Sequence, residues 1–254
     1  MKSKTNYFRL LWVIAKNDFK LRYYGSVLGY FWSLLKPFLM FIVLYVVFSV
    51  LVRFDQHYYQ LYLLLGILIW NFFAEATSQG MNSLINKSHI IKKVYLPRFL
   101  VVVASTVTAF ISLLLNLLVF FLVYFFVGPE FDLIMLMFPI YLFLIYFFAL
   151  ACALILSILQ VWFRDVAQIW DVFLQVGFYI SPIIYPLSIV PKEYWRYLFL
   201  NPITGIIQYS RILLIDHSFP SVKGSVYLFV FIFVLMIFAY FVFKKYSKFV
   251  TEKI

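Results

Sequence analysis

The sequence predicts an all-α protein that crosses a membrane several times, and three observations carry that prediction. The 254-residue chain is 65% hydrophobic and only 12% charged. Long apolar runs recur, and one of them, 99–127, holds no charged residue at all. Lys and Arg crowd into alternate gaps between the runs. A helix needs about 20 apolar residues to cross the hydrocarbon core. A soluble domain of this size could not cover so much apolar surface, so lipid must solvate much of it.

Taken in order, the chain begins with an amphipathic segment. Phe8, Leu11, Trp12, Ala15 and Phe19 follow helical spacing, while Arg9, Lys16 and Lys20 cluster on another face. Residues 1–29 therefore read as a helix lying in the cytoplasmic interface, either as a plain anchor or also in contact with a partner. Lys2 and Lys4, with those three cations, interrupt this region too often for a cleavable signal. Gly25 and Gly29 have a small-xxx-small spacing that fits close helix contact or a turn before the first span.

Six spans follow, at about 30–52, 58–81, 99–127, 133–161, 169–189 and 224–243. The third is long enough to tilt or to extend beyond the bilayer. The fifth runs into Ser181-Pro182-Ile183-Ile184-Tyr185-Pro186, where two prolines should kink or end the helix. Lys192-Glu193-Tyr194-Trp195-Arg196-Tyr197 then suits the interface. Asn201-Pro202 offers an N-cap followed by proline at the first helical position. The helix it starts, to about Ile215, is too short to cross. Two short re-entrant helices between spans 5 and 6 fit this pattern, and an ordinary outer loop is the alternative. With no repeat or linker, 1–254 reads as a single transmembrane domain, 30–254 being its six-span part.

Orientation follows from the cations. One side receives Lys2, Lys4, Arg9, Lys16, Lys20, Arg22, Lys87, Lys92, Lys93, Arg98, Arg164, Lys244, Lys245, Lys248 and Lys253. The other receives Arg53, Lys192, Arg196, Arg211 and Lys223, with Glu130 and Asp132 in a short acidic turn. The positive-inside rule places both termini in the cytoplasm, in agreement with an even number of spans. The net charge of +11 thus points to anionic headgroups rather than nucleic acid.

Polar residues inside spans are few. Glu75 sits in the second span, where a carboxylate must face protein or water or be neutralised; it is a candidate site residue or a structural hydrogen-bonding group. Asp171 lies within reach of headgroup water, and Lys36, before Pro37, can snorkel. Chemistry-bearing motifs are missing: no GxxxxGK[ST], HExxH, GxSxG or metal-spaced Cys/His cluster occurs, and Cys152 is the only cysteine. The sequence therefore names no catalytic and no metal-binding residue, and any uphill transport must draw its energy from a partner or an ion gradient.

Several stretches together resemble the polysaccharide-export permeases of type-2 ABC transporters. They are Tyr24-Gly25-Ser26-Val27-Leu28-Gly29-Tyr30-Phe31-Trp32 with Leu34-Leu35-Lys36-Pro37, and Gly66-Ile67-Leu68-Ile69-Trp70-Asn71-Phe72-Phe73. Lys92-Lys93-Val94-Tyr95-Leu96-Pro97-Arg98, Phe163-Arg164-Asp165-Val166, Ser181-Pro182 and Asn201-Pro202 follow in family order. Lys36 departs from the pattern, which has a neutral residue there.

The resemblance implies a homodimer in the plasma (inner) membrane, bound to two separate ATP-binding cassette subunits that use ATP and Mg. It implies export of a lipid-linked polysaccharide such as O antigen or teichoic acid. Arg9, Lys16, Lys20, Lys87, Lys92, Lys93 and Arg98 would meet the ATPase. Pro182, Pro186, Trp195, Arg196, Asn201, Pro202 and Arg211 would belong to an outer gate. Aromatic rings stack on the CH faces of sugars and their polar tips bond hydroxyls. Tyr30, Phe31, Trp32, Trp70, Phe73, Phe178, Tyr179 and Tyr185, with Glu75, are accordingly candidates for the substrate path. Lipid contact or helix packing is the alternative role for each ring. Two other functions stay open: a type-2 exporter of small drugs or lipids, and a membrane-embedded transferase, for which no convergent acid, base or metal group is present.

Overall fold

A computed structural model describes residues 7–22, 25–26, 28–29, 31–52, 56–93 and 96–253. Lys2, Lys4, Tyr30 and Arg53, named above, lie outside the described residues. Eleven α-helices and no strand occur among those described: α1 Tyr7–Arg22, α2 Phe31–Tyr45, α3 Tyr59–Asn86, α4 Ser88–Lys93, α5 Arg98–Val127, α6 Phe138–Trp162, α7 Val166–Ile180, α8 Lys192–Leu198, α9 Pro202–Leu214, α10 Val222–Tyr246 and α11 Val250–Lys253. Among the described residues five stretches are long and apolar enough to cross a membrane: Phe31–Ser49, Tyr59–Asn86, Arg98–Val127, Leu133–Trp162 and Val222–Phe249. The expected fifth span is instead a 15-residue helix, α7, about 22 Å long.

The core is built around α3, which packs on α5 and α6 and is buried along most of its length. Close approach to α6 depends on Gly80, where an added Cβ would lie 2.5 Å from the Cβ of Ala153. In a membrane such small-residue contacts take the place of hydrophobic collapse. By contrast α10 keeps most of its apolar side chains exposed and α2 buries only Phe41, as lipid-facing or partner-facing helices do. Inside α2, Pro37 has no N–H for the Ser33 carbonyl one turn back. Asn116 of α5 supplies the missing donor, its Nδ2 lying 3.2 Å from that oxygen. Beyond Tyr45, α2 widens into a π-helical turn, Val46–Leu51.

Tertiary contacts gather the basic segments at one end. Lys87 pairs with Asp18 of α1, and Arg98 donates to the Ser247 carbonyl just past α10. Trp162, the last residue of α6, meets Tyr246 edge-on, and Lys253 lies over the Trp162 ring. The Thr108 hydroxyl donates to the Ala15 carbonyl at 3.3 Å, which fixes α1 against α5. From Thr108 to Val127, α5 rises about 28 Å, close to the hydrocarbon thickness of ~30 Å. The whole helix of 30 residues is therefore longer than the hydrocarbon core is thick.

Opposite ends are equally well marked. Tyr141, near the start of α6, bonds Ser225, near the start of α10, at 2.7 Å. Since α6 ends at the basic side and α10 begins at the other, residues 163–221 carry the chain from one end to the other. They do so through α7 and the non-helical residues 181–185.

Candidate functional site

The region after α7 is the most elaborate polar construction among the described residues. Pro182 ends the helix, as its missing N–H requires. Ser181 donates to the Gly177 carbonyl at 2.9 Å, and the Tyr185 hydroxyl caps the Ile180 carbonyl at 2.8 Å. Beyond them the backbone turns through residues 182–184, whose carbonyls lie outside any helical ladder. α9 satisfies those of Pro182 and Ile183. Arg211 is 1% exposed and donates from Nη1 to the Pro182 carbonyl at 2.6 Å and from Nη2 to that of Ile183 at 2.9 Å. Nε and Nη2 both reach the Tyr62 carbonyl on α3, at 3.1 and 2.9 Å. The guanidinium also stacks on the Tyr62 ring, 3.3 Å from its centroid.

Room for this side chain comes from Gly66, where a Cβ would sit 2.6 Å from Nη2. Two neighbours complete the lock. Tyr59 donates to the Ile184 carbonyl at 2.8 Å, and Gln208 reaches the Pro182 carbonyl at 3.4 Å. Irregular backbone at membrane depth persists only when protein satisfies it in this way.

The start of α9 follows the sequence expectation. The Asn201 side chain accepts from the Ile203 amide at 3.1 Å, Pro202 occupies the first turn, and the helix ends at Leu214. Asn201 also donates to the Ser181 hydroxyl at 3.0 Å, which places the mouth of α9 beside the break in α7. Asn201 and Pro202 share a partly open cavity of about 500 Å³ with Trp70, Phe73, Cys152 and Trp170, at the level of the middle of α3. At the other end of α9, His217 lies 3.1 Å from the Tyr124 hydroxyl, near the far end of α5. α9 is thus a re-entrant helix rising from the interior to the less basic end. α8 precedes it with Lys192, Glu193 and Arg196 exposed, and with Trp195 bonded to the Val190 carbonyl at 2.9 Å. Pro186 is buried.

The aromatic candidates divide into groups. Trp70 is 4% exposed and Phe73 1%; they pack with Phe148, Trp170 and Phe178 at the junction of α3, α6 and α7. Phe31 and Tyr179 are exposed, and Tyr185 is half-buried. Trp32 and Glu75 come together, with Lys36, in an open cleft of about 790 Å³ between α2 and α3. Gln79 donates to the Glu75 carboxylate at 3.1 Å.

Among the basic candidates, Arg9, Lys16, Lys20, Lys92 and Lys93 are exposed at one end of the molecule. Lys87 and Arg98 are instead turned inward, to Asp18 and Ser247. The apolar stripe of α1 is divided as well: Ala15 is fully buried against α5, whereas Phe8 and Trp12 face outward. Sequence reasoning passed over Tyr59, Tyr62, Asn116 and Gln208. Each is a polar or amphipathic residue in a long apolar helix or beside the N-capped turn, the one signal that could have singled them out.

A bundle of long apolar helices around a polar, proline-broken turn and the short helix α9 defines the class: an all-α polytopic membrane protein. The chain belongs to the ABC-2 type transporter family, whose profile matches residues 9–215. It is 29% identical over 209 residues to an O-antigen export system permease protein RfbA of Klebsiella pneumoniae, covering 82% of this chain and 81% of that one. It is 26% identical over 219 residues to the protein of the same name from Myxococcus xanthus, covering 85% and 84%. Over a shorter stretch of 49 residues, 19% of each chain, it is 35% identical to the polysialic acid transport protein KpsM of Escherichia coli.

Proposed function

We propose that the chain is the transmembrane subunit of an ATP-driven exporter that moves a lipid-linked polysaccharide, such as O antigen or teichoic acid, across the plasma membrane. The observation that carries this reading is the likeness, over four-fifths of the chain, to permeases named for O-antigen export. In this reading the subunit forms a homodimer and carries no engine; two ATP-binding cassette subunits hydrolyse ATP with Mg. Their docking surface is the basic end, where Arg9, Lys16, Lys20, Lys92 and Lys93 are exposed and Lys87 and Arg98 tie α1 and α10 to the ends of α3 and α5.

α7 together with residues 181–185 makes the sixth crossing. Both termini are then cytoplasmic, as the grouping of α1, α10 and α11 at the basic end supports. The break at Pro182, with Pro186, Trp195, Arg196, Asn201, Pro202 and Arg211, forms the outer gate. Tyr30, Phe31, Trp32, Tyr179 and Tyr185 contribute apolar faces along the glycan path together with Glu75, and the buried Trp70, Phe73 and Phe178 support it from within the bundle.

Co-purification from native membranes tests the reading. The subunit is expected to carry an ATPase partner, and the reconstituted pair is expected to move lipid-linked glycan only when ATP is supplied. Isolation without an ATPase, or ATP-driven movement of a small drug or a simple lipid in place of glycan, rejects it.

A further inference from the structure

We propose that one flank of α10, where it meets α5 and α6, is a binding site for a single anionic glycerophospholipid. Arg98 and Lys244 hold the phosphate, and an acyl chain lies along α10. The site is separate from the break after α7 and from the cleft between α2 and α3, and it stands whether or not the cargo is a glycan.

Spacing along α10 sets up the site. Phe229, Phe233, Met236, Tyr240 and Lys244 follow at intervals of four, three, four and four, so they share one face of the helix. That face lies beside the stripe Leu228, Ile232, Ala239 and Phe243, which is buried, and all of its members except Met236 are exposed. It is apolar for most of its length and ends in a cation at the basic end. Groups succeed one another in that order along a membrane leaflet, from core to headgroup.

Two cavities open along this face. The one at the basic end, of about 300 Å³, lies between the start of α5 and the end of α10, with Arg98, Phe99, Tyr240, Phe243, Lys244 and Ser247 among its walls. These walls are tied together: Arg98 donates to the Ser247 carbonyl, and the Phe99 ring meets Tyr240 and Phe243 edge-on at 6.3 and 6.1 Å. Two cations and no carboxylate line it. The 30-residue helix α5 begins in the same wall, so its dipole adds to the positive potential there. The second cavity, about 320 Å³, lies between α6 and α10. Leu144, Phe147, Phe229, Ile232, Phe233 and Met236 line it, all of them apolar.

Dimensions and charge together choose the occupant. Met236 is about 12 Å along α10 from Lys244, and Phe229 about 22 Å. One leaflet supplies roughly half of a hydrocarbon core of ~30 Å. A molecule with an anion at Lys244 and hydrocarbon at Met236 and Phe233 thus has the build of a phospholipid standing in its own leaflet. Basic pockets between membrane helices take phosphate headgroups in this way. Tyr240, between the two cavities, offers a ring to the chain and a hydroxyl to phosphate oxygens. A free phosphate would leave the apolar cavity empty, and an uncharged lipid would leave the two cations without a counter-ion.

The test is native mass spectrometry of the full chain, purified in detergent, delipidated and titrated with palmitoyl-oleoyl phosphatidylglycerol or the matching phosphatidylcholine. The second lipid has the same chains and phosphate, but its choline cation cancels the charge that the pocket attracts. One phosphatidylglycerol is expected to bind about tenfold more tightly than phosphatidylcholine, the effect of one charge-assisted contact. Lys244→Gln, at an exposed position, should remove that preference while the chain melts at an unchanged temperature. Lys245→Gln, on the neighbouring face, should change the affinity by less than about twofold. Met236→Trp fills the apolar cavity and should weaken both lipids alike. Equal binding of the two lipids, or equal losses at Lys244 and Lys245, means diffuse attraction to the basic end and overturns the site. Displacement of the lipid by inorganic phosphate at a comparable concentration overturns the choice of a lipid. Full phosphatidylglycerol affinity in Met236→Trp overturns the course of the chain along α10.

Discussion

Arg211 and Lys36 both sit in apolar helices, and the molecule treats them in opposite ways. Arg211 is enclosed, with its donors spent on the carbonyls of Tyr62, Pro182 and Ile183. Lys36 stands exposed in a cleft opposite a row of polar side chains. The planar fork of arginine matches several fixed acceptors at once, whereas lysine is a flexible point charge. A charge enclosed by backbone acceptors holds a conformation; a charge left facing a cavity is available to something that enters it. By this criterion Arg211 holds the break after α7 in one conformation, whereas the cleft between α2 and α3 leaves its cation facing open space.

Substitutions can break or sharpen that contrast. Arg211→Met should have the largest effect, lowering the stability of the solubilised subunit by about 3 kcal/mol, because it strands buried carbonyls. Unfolding in mixed detergent–SDS micelles measures the loss, and a value near zero would sink the framework role. Arg211→Lys should recover only part of it, since an ammonium cannot span the same three carbonyls. Gly66→Ala pushes a methyl into the guanidinium and should cost about 2 kcal/mol. Asn116→Ala, which removes the donor to the Ser33 carbonyl, should cost about 1 kcal/mol and loosen α2 at Pro37, seen as faster amide exchange there. Lys36→Met should fall within about 0.5 kcal/mol of the parent. A large loss at Lys36 would make the two cations alike and dissolve the contrast.

Much of the scaffold was legible from composition and periodicity. The third span, expected at 99–127, is the helix Arg98–Val127, and the fourth, expected at 133–161, is the stretch Leu133–Trp162. The second was expected to stop at Met81, but α3 continues to Asn86. Its extra turn carries Asn82, Ser83 and Asn86, which end the hydrophobic signal without ending the helix. The error in the fifth span has the reverse cause: Ile183 and Ile184 prolong the apolar run after Pro182 has already ended α7.

The N-cap at Asn201 was legible because it is local. The enclosure of Arg211 was not, since Tyr62 lies 149 positions away in the chain. The same holds for the Asn116–Ser33 bond, which joins residues 83 positions apart. Packing of Trp70, Phe73 and Phe178 into the bundle, and the meeting of Lys36 with Glu75 in one cleft, are likewise products of tertiary assembly.

α3 has a further consequence. It contains no proline and runs about 42 Å from Tyr59 and Tyr62, which hold the break after α7, to Asn86, beside the Lys87–Asp18 pair. A stiff rod of that length converts rotation at one end into travel at the other. Tilting it by about 5° about its basic end would carry the Tyr62 carbonyl sideways by roughly 3 Å, as far as a hydrogen bond is long. A nudge of a few degrees at the basic end would therefore suffice to pull the Tyr62 carbonyl away from Arg211.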